Sequence, residues 1–160
     1  MNAIAEEVNE YELQRGKPMP SKNHGLIQAK LIFLLTLNYR EKYTVISEVS
    51  LALPEGERVP DLAIFPIIEF TPTDDEVRMT ELPFCVIEIL SPTQTVTELV
   101  SKAKEYFAAG VKTYWFVNPI LESIHVFTDA QTHVHFGKSE ILRDENLQVE
   151  LNLSEVFAKR

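Results

Sequence analysis

The sequence is short of cysteine, of basic residues and of long apolar runs. Its one cysteine, Cys85, excludes an internal disulfide, so nothing in the fold calls for an oxidising compartment. No apolar stretch approaches the roughly 18 residues that cross a bilayer. The longest, Leu31–Leu35 and Phe84–Leu90, are the size of core segments. The first ten residues, Met1–Glu10, are acidic and lack the basic-then-apolar pattern of a secretory signal, so a cytoplasmic address is expected. Lys and Arg number 15 against 24 Asp and Glu, a net charge of -9. That argues against a protein that coats nucleic acid through non-specific phosphate contacts, because counterion release favours basic surfaces. It leaves room for a carboxylate-rich metal site. Internal repeats and low-complexity tracts are also lacking, and only 5 glycines punctuate the chain.

What is present suits a soluble core. With 160 residues, 45% hydrophobic and 24% charged, the chain is expected to form a single domain over 1–160. Asn23 is read as a helix N-cap before His24–Asn38, where Ile27, Leu31, Leu34 and Leu35 recur at helical spacing. Thr44–Leu53 alternates as a strand, Pro54–Arg58 is a turn, and Pro60–Phe65 is a short strand. Pro66–Glu81 reads as a loop. Phe84–Leu90 is apolar on both parities, as a central strand must be. A helix over Thr95–Ala109 carries Val96, Leu99, Val100, Ala103 and Phe107 on one stripe and stops at Gly110. Thr113–Val117 is a further strand, and Ser123–Thr128 with His133–Phe136 a hairpin. The tail adds one strand and a short helix near Ser154–Phe157. The order predicts an α/β fold, a central mixed β-sheet flanked by helices, with a C-terminal β-hairpin extension. Strand, helix and strand from Phe84 to Val117 form one βαβ unit.

Glu88 stands out, because a lone carboxylate inside Val86-Ile87-Glu88-Ile89-Leu90 costs several kcal/mol to bury. A cation partner, a metal or a cleft would each account for it. Asp61 follows Pro60 and is of interest if its strand lies beside that of Glu88, for two carboxylates at one edge match the hard oxygen ligands that Mg²⁺ or Mn²⁺ takes. Glu48 lies on the less apolar parity of its strand, where a solvent-facing glutamate competes with a third site carboxylate. His24, at a helix start, is either a capping histidine or a phosphate contact. The pair His133/His135 could share a metal on one strand face, against the plainer reading as surface histidines. Cys85, within an apolar strand, reads as core packing.

These residues resemble a known pattern. Pro60-Asp61, followed 27 residues later by Glu88 in an apolar strand, is similar to the PD-(D/E)XK nuclease superfamily. More closely, the chain resembles its bacterial restriction-endonuclease-like family. The resemblance runs through Tyr11-Glu12-Leu13 with Gly16, His24, Ser47–Leu51, Pro60–Phe65 and Val86–Pro92. It continues with Lys102, Tyr106, Ala109-Gly110-Val111 and Tyr114–Pro119. It implies that Asp61 and Glu88 hold a divalent metal, Mg²⁺ or Mn²⁺, in a metal-dependent endonuclease acting on DNA. The lysine usual two positions after the glutamate is absent, since Leu90 stands there. The matching lysine is Lys102, migrated to the following helix. The plain alternative is that Lys102 is a surface lysine paired with Glu98 at (i, i+4). The resemblance also implies a homodimer, with Tyr114-Trp115-Phe116 and the hairpin as apolar candidates for the contact. Two other classes stay open: a catalytically inactive nuclease-fold binding or assembly module, and a metal-dependent hydrolase of a smaller substrate.

Overall fold

A computed structural model of the protein describes residues 10–160. The expectation of one domain over 1–160 includes residues 1–9, which lie outside the described residues. Two helices come first, α1 (Glu10–Arg15) and α2 (Lys22–Tyr39). Five strands follow: β1 (Thr44–Ser47), β2 (Ser50–Leu53), β3 (Gly56–Arg58), β4 (Leu62–Phe65) and β5 (Arg78–Met79). Next come β6 (Cys85–Ile89), α3 (Val96–Ala109), β7 (Thr113–Asn118), β8 (Ser123–Phe127) and β9 (His133–Gly137). The chain finishes with β10 (Ile141–Asp144), β11 (Val149–Asn152) and α4 (Leu153–Val156).

The two-parity apolar pattern of β6 makes it a central strand, and every one of its residues is buried. It pairs antiparallel with β4 and parallel with β7. The sheet runs β1-β4-β6-β7-β8-β9. It is mixed, because β6 and β7 are joined through α3 while its other neighbours run antiparallel. Alternating side chains build two cores. On one face Ile27, Leu31 and Leu35 of α2 pack with Ile87 and Trp115, and on the other Leu99, Ala103 and Tyr106 of α3 pack with Val86 and Tyr114. The helices thus flank a central mixed sheet, as expected.

α3 is held at both ends by its own sequence. Thr95 caps it and Glu98 reaches back to the Thr95 N–H, a reciprocal capping box. Gly110 ends it in the left-handed conformation, at φ +110°. The buried stripe runs through Leu99, Ala103 and Tyr106, while Val96, assigned to it from spacing, is half exposed.

Several expectations need correction. Ser21, not Asn23, caps α2, its hydroxyl accepting from the His24 N–H at 3.2 Å. Thr44–Leu53 is two strands: β1 joins the central sheet, while β2 turns into a second sheet ordered β3-β2-β5. The break is at Glu48, whose φ is +53°. The expected loop Pro66–Glu81 contains β5, seated parallel to β2. The hairpin β8–β9 belongs to the central sheet, and the C-terminal extension is the separate hairpin β10–β11 with α4. Trp115 Nε1 donates to Asp144 Oδ2 at 2.8 Å, tying that hairpin to the sheet. Tyr114, Trp115 and Phe116 are core residues, at most 3% exposed. They cannot form the dimer contact expected of them.

Candidate functional site

Antiparallel pairing sets Leu62 across from Ile87. One step outward along that register brings Asp61 opposite Glu88, so two residues 27 apart in sequence share one sheet end. Both are 1% exposed. Asp61 is the more heavily held. Its Oδ2 accepts the Ile89 N–H at 2.7 Å and lies 3.0 Å from His24 Nε2. Its backbone carbonyl accepts the Glu48 N–H and the Gln28 amide, at 3.1 and 3.0 Å. The cap on α2 explains the histidine's part: Ser21 binds the His24 N–H and so fixes where the first turn aims the imidazole. His24 Nδ1 is buried and has no hydrogen-bond partner among the described residues.

The cations come from three places. Lys17, on the segment between α1 and α2, puts Nζ 2.6 Å from Asp61 Oδ1 and 3.4 Å from Glu88 Oε2. Arg15, at the end of α1, grips Glu48 through Nε at 3.0 Å and Nη2 at 2.5 Å, and its Nη2 lies 3.3 Å from Asp61 Oδ1. Lys102 reaches in from α3, Nζ 4.0 Å from Glu88 Oε2. Tyr106, one turn along α3, donates to Glu88 Oε1 at 3.3 Å. Beside the cluster lies a cavity of about 380 Å³, lined by Leu13, Arg15, Arg58, Glu88, Lys102 and Tyr106 among others. An acidic chain thus turns several of its few cations toward one hollow.

Electrostatics separates the two acids. Burial pushes the Asp61 carboxyl up, but the His24 hydrogen bond and the Lys17 charge outweigh it, leaving its pKa well below the ordinary range. Burial dominates at Glu88 and raises its pKa, with the Asp61 charge adding to the rise and Lys17 and Lys102 opposing it. Burial also works against the Lys17 charge, yet Glu88 and Asp61 more than restore it, so its pKa is raised. One firmly ionised carboxylate beside one reluctant carboxylate is an arrangement that recurs where acid–base chemistry is done.

The structure brings Asp61, Glu88, Lys102, His24 and Glu48 into this one cluster. Glu48 is no solvent-facing strand residue: it sits in the left-handed region at the β1–β2 break, a sparsely populated conformation for a side-chain-bearing residue. Glu98 serves the α3 cap and not Lys102. Gln94 accepts from the Ser91 N–H and stays with its own turn. Cys85 is fully buried, and burial raises its thiol pKa, as suits packing. His133 and His135 face His125 across β8 and β9, with ring centroids 5.1 and 4.9 Å away. Among the described residues, no three His, Cys, Asp or Glu side chains are arranged to hold a metal. Two carboxylates on one cation are nevertheless a donor set that Mg²⁺ accepts, since it keeps water or phosphate oxygens as its other ligands.

Arg15 and Lys17 were missed from sequence. The available signal was the pair of cations around Gly16, next to Tyr11-Glu12-Leu13 and shortly before a capped helix. A buried acid pair in a chain poor in basic residues must find cations somewhere.

The fold has counterparts among solved structures. A crystal structure described as a "putative nuclease belonging to DUF820", from Anabaena variabilis ATCC 29413, is similar in fold. Its TM-score is 0.75 at 19% identity, covering 88% of this chain and 83% of the other. The cryoEM structure of a DrdV–DNA complex aligns with a TM-score of 0.48 and 14% identity over 72% of this chain and 10% of the other. Among curated proteins, none matches the sequence. The family model named Uma2 and described as "Putative restriction endonuclease" matches residues 4–157. By that match, spanning nearly the whole sequence, the chain belongs to the Uma2 restriction-endonuclease family.

Proposed function

We propose that the protein hydrolyses phosphodiester bonds in DNA with the help of a divalent cation, Mg²⁺ or Mn²⁺, and that residues 1–160 act as one nuclease domain. The observation that carries this reading is the meeting of Asp61 and Glu88 on a common cation at the sheet end, beside a cavity lined by Arg15, Arg58 and Lys102. Asp61 and Glu88 would hold the metal, which when bound supplies Lewis acidity and neutralises phosphate charge. The chain's own residues do the rest. The Ile89 N–H and His24 fix Asp61 in its rotamer, and Tyr106 fixes Glu88. Lys102, partly exposed at the cavity wall, supplies positive charge where the phosphate oxyanion builds up. Arg15, aimed by Glu48, adds a second. Cutting both strands of a duplex calls for two such sites, so the reading includes a homodimer, which light scattering checks.

Conversion of supercoiled plasmid in Mg²⁺ tests the activity, with a single-stranded RNA of matched length as a second substrate. Wild type nicks or linearises the plasmid, while Asp61→Asn and Glu88→Gln each lose about a thousandfold in rate or more. Equal cleavage by all three proteins would refute the assignment. A wild type inert on both substrates would favour the non-catalytic module.

A further inference from the structure

We propose that Lys17 and the divalent metal compete for one place: the lysine is a built-in counter-ion that fills the metal position until a metal displaces it. The proposal rests on the nuclease reading above and adds to it an order of events.

The argument is an inventory of carboxylate oxygens. Asp61 Oδ2 is committed to the Ile89 N–H and to His24. Glu88 Oε1 is committed to the Tyr106 hydroxyl. The oxygens left to face each other are Asp61 Oδ1 and Glu88 Oε2; Arg15 Nη2 reaches the first alone, at 3.3 Å, whereas the Lys17 ammonium contacts both, at 2.6 and 3.4 Å. A metal held by the two acids would have to draw on those same oxygens. It would then stand within ordinary contact distance of a second cation, a repulsion that low-dielectric surroundings amplify. Both cannot stay.

The lysine's placement suits departure. Its ammonium ends a flexible four-carbon stem, and it is carried on the segment between two helices and not on the sheet. The preceding residue, Gly16, is exposed, at φ +68° with open space around it. Lys17 can therefore withdraw while Asp61 and Glu88 keep their backbone supports. Lys102, farther off at 4.0 Å and reaching Glu88 alone, does not bridge the pair and can stay when a metal enters.

Isothermal calorimetry with Mn²⁺ alone on the full-length protein tests this. Lys17→Met is expected to bind Mn²⁺ at least about tenfold more tightly than wild type, with a much smaller gain in Lys102→Met. Tighter binding in Lys17→Met when wild type shows none supports the proposal equally. Binding no tighter than wild type overturns it while leaving the nuclease reading standing. An equal gain in Lys102→Met also overturns it, since the effect is then general charge and not occupancy. No binding in any of the proteins removes both ideas. Should Lys17→Met fail to fold, wild-type protein decides. Burial shields the Lys17 ammonium from exchange, so its ¹⁵N-detected proton signal is expected to be visible without metal and to vanish or shift as Mg²⁺ saturates the site. A signal unchanged through saturation overturns the proposal.

Discussion

Two places in the molecule bury an acid to the same depth and treat it in opposite ways. Asp144 and Glu88 are each 1% exposed. Asp144 takes neutral donors, the Trp115 indole at 2.8 Å and the Leu147 N–H at 3.2 Å, and with them it clamps the β10–β11 hairpin to the sheet. Glu88 is held by the Tyr106 hydroxyl and two lysines, beside a second acid, with its pKa pushed up. The first arrangement can be built once and left alone. The second is costly without its cations, and the proposed metal-assisted reaction would require those cations to give way. The contrast teaches that depth of burial says little about role. The chemistry of the partners says more.

Substituting these two acids should separate their roles. The largest effect is on catalysis: Glu88→Gln is expected to abolish plasmid cleavage, by about a thousandfold or more, whereas Asp144→Asn leaves it within a few-fold of wild type. Stability comes next and runs the other way. Asp144→Ala is expected to cost about 2–3 kcal/mol in urea denaturation, since the buried indole and backbone donors lose their acceptor. Glu88→Gln is expected to cost little or even to stabilise. Its folded pKa is raised, so ionised Glu88 weakens the fold as pH climbs above about 4.5, and glutamine carries no charge to bury. A loss at Glu88→Gln as large as at Asp144→Ala would erase the distinction. The smallest effect lies in the histidine cluster. Burial, then His135 and His133, hold the His125 pKa below its ordinary 6.5. The unfolded chain therefore binds that proton more readily, and stability falls as pH drops below 6.5. After solvent screening the change is under about 1 kcal/mol, and His125→Gln should flatten it in a thermal-melt pH series.

The sequence made some parts of this legible and hid others for identifiable reasons. β6 and α3 could be read because their determinants are local: a two-parity apolar run, an apolar stripe at helical spacing, a terminal Gly110. The pairing of Asp61 with Glu88 was legible only through the family resemblance; from the residues alone it hung on whether β4 and β6 are neighbours, which their register shows. The break at Glu48 could not, since a non-glycine residue at positive φ has no composition cue; it is enforced by Arg15 and by the Asp61 carbonyl. Lys17 stayed hidden because its partners lie 44 and 71 residues away, and an isolated lysine in a polar segment looks the same whether it points to water or inward. The helix cap at Ser21 was misplaced by two residues because asparagine and serine are equally good caps.

The source of Arg15 and Lys17 carries a consequence of its own. The sheet and α3 supply the acids and one lysine, while the closest cations arrive on a short stretch ahead of the first long helix. The acid half of the centre and most of its countercharge are thus separable modules. Trimming or fusing at that stretch would unbalance the hollow while the central pairings of β6 with β4 and β7, which do not use it, stay in place. Exchanging those few residues between related chains is a route to changing metal affinity while the scaffold is left untouched.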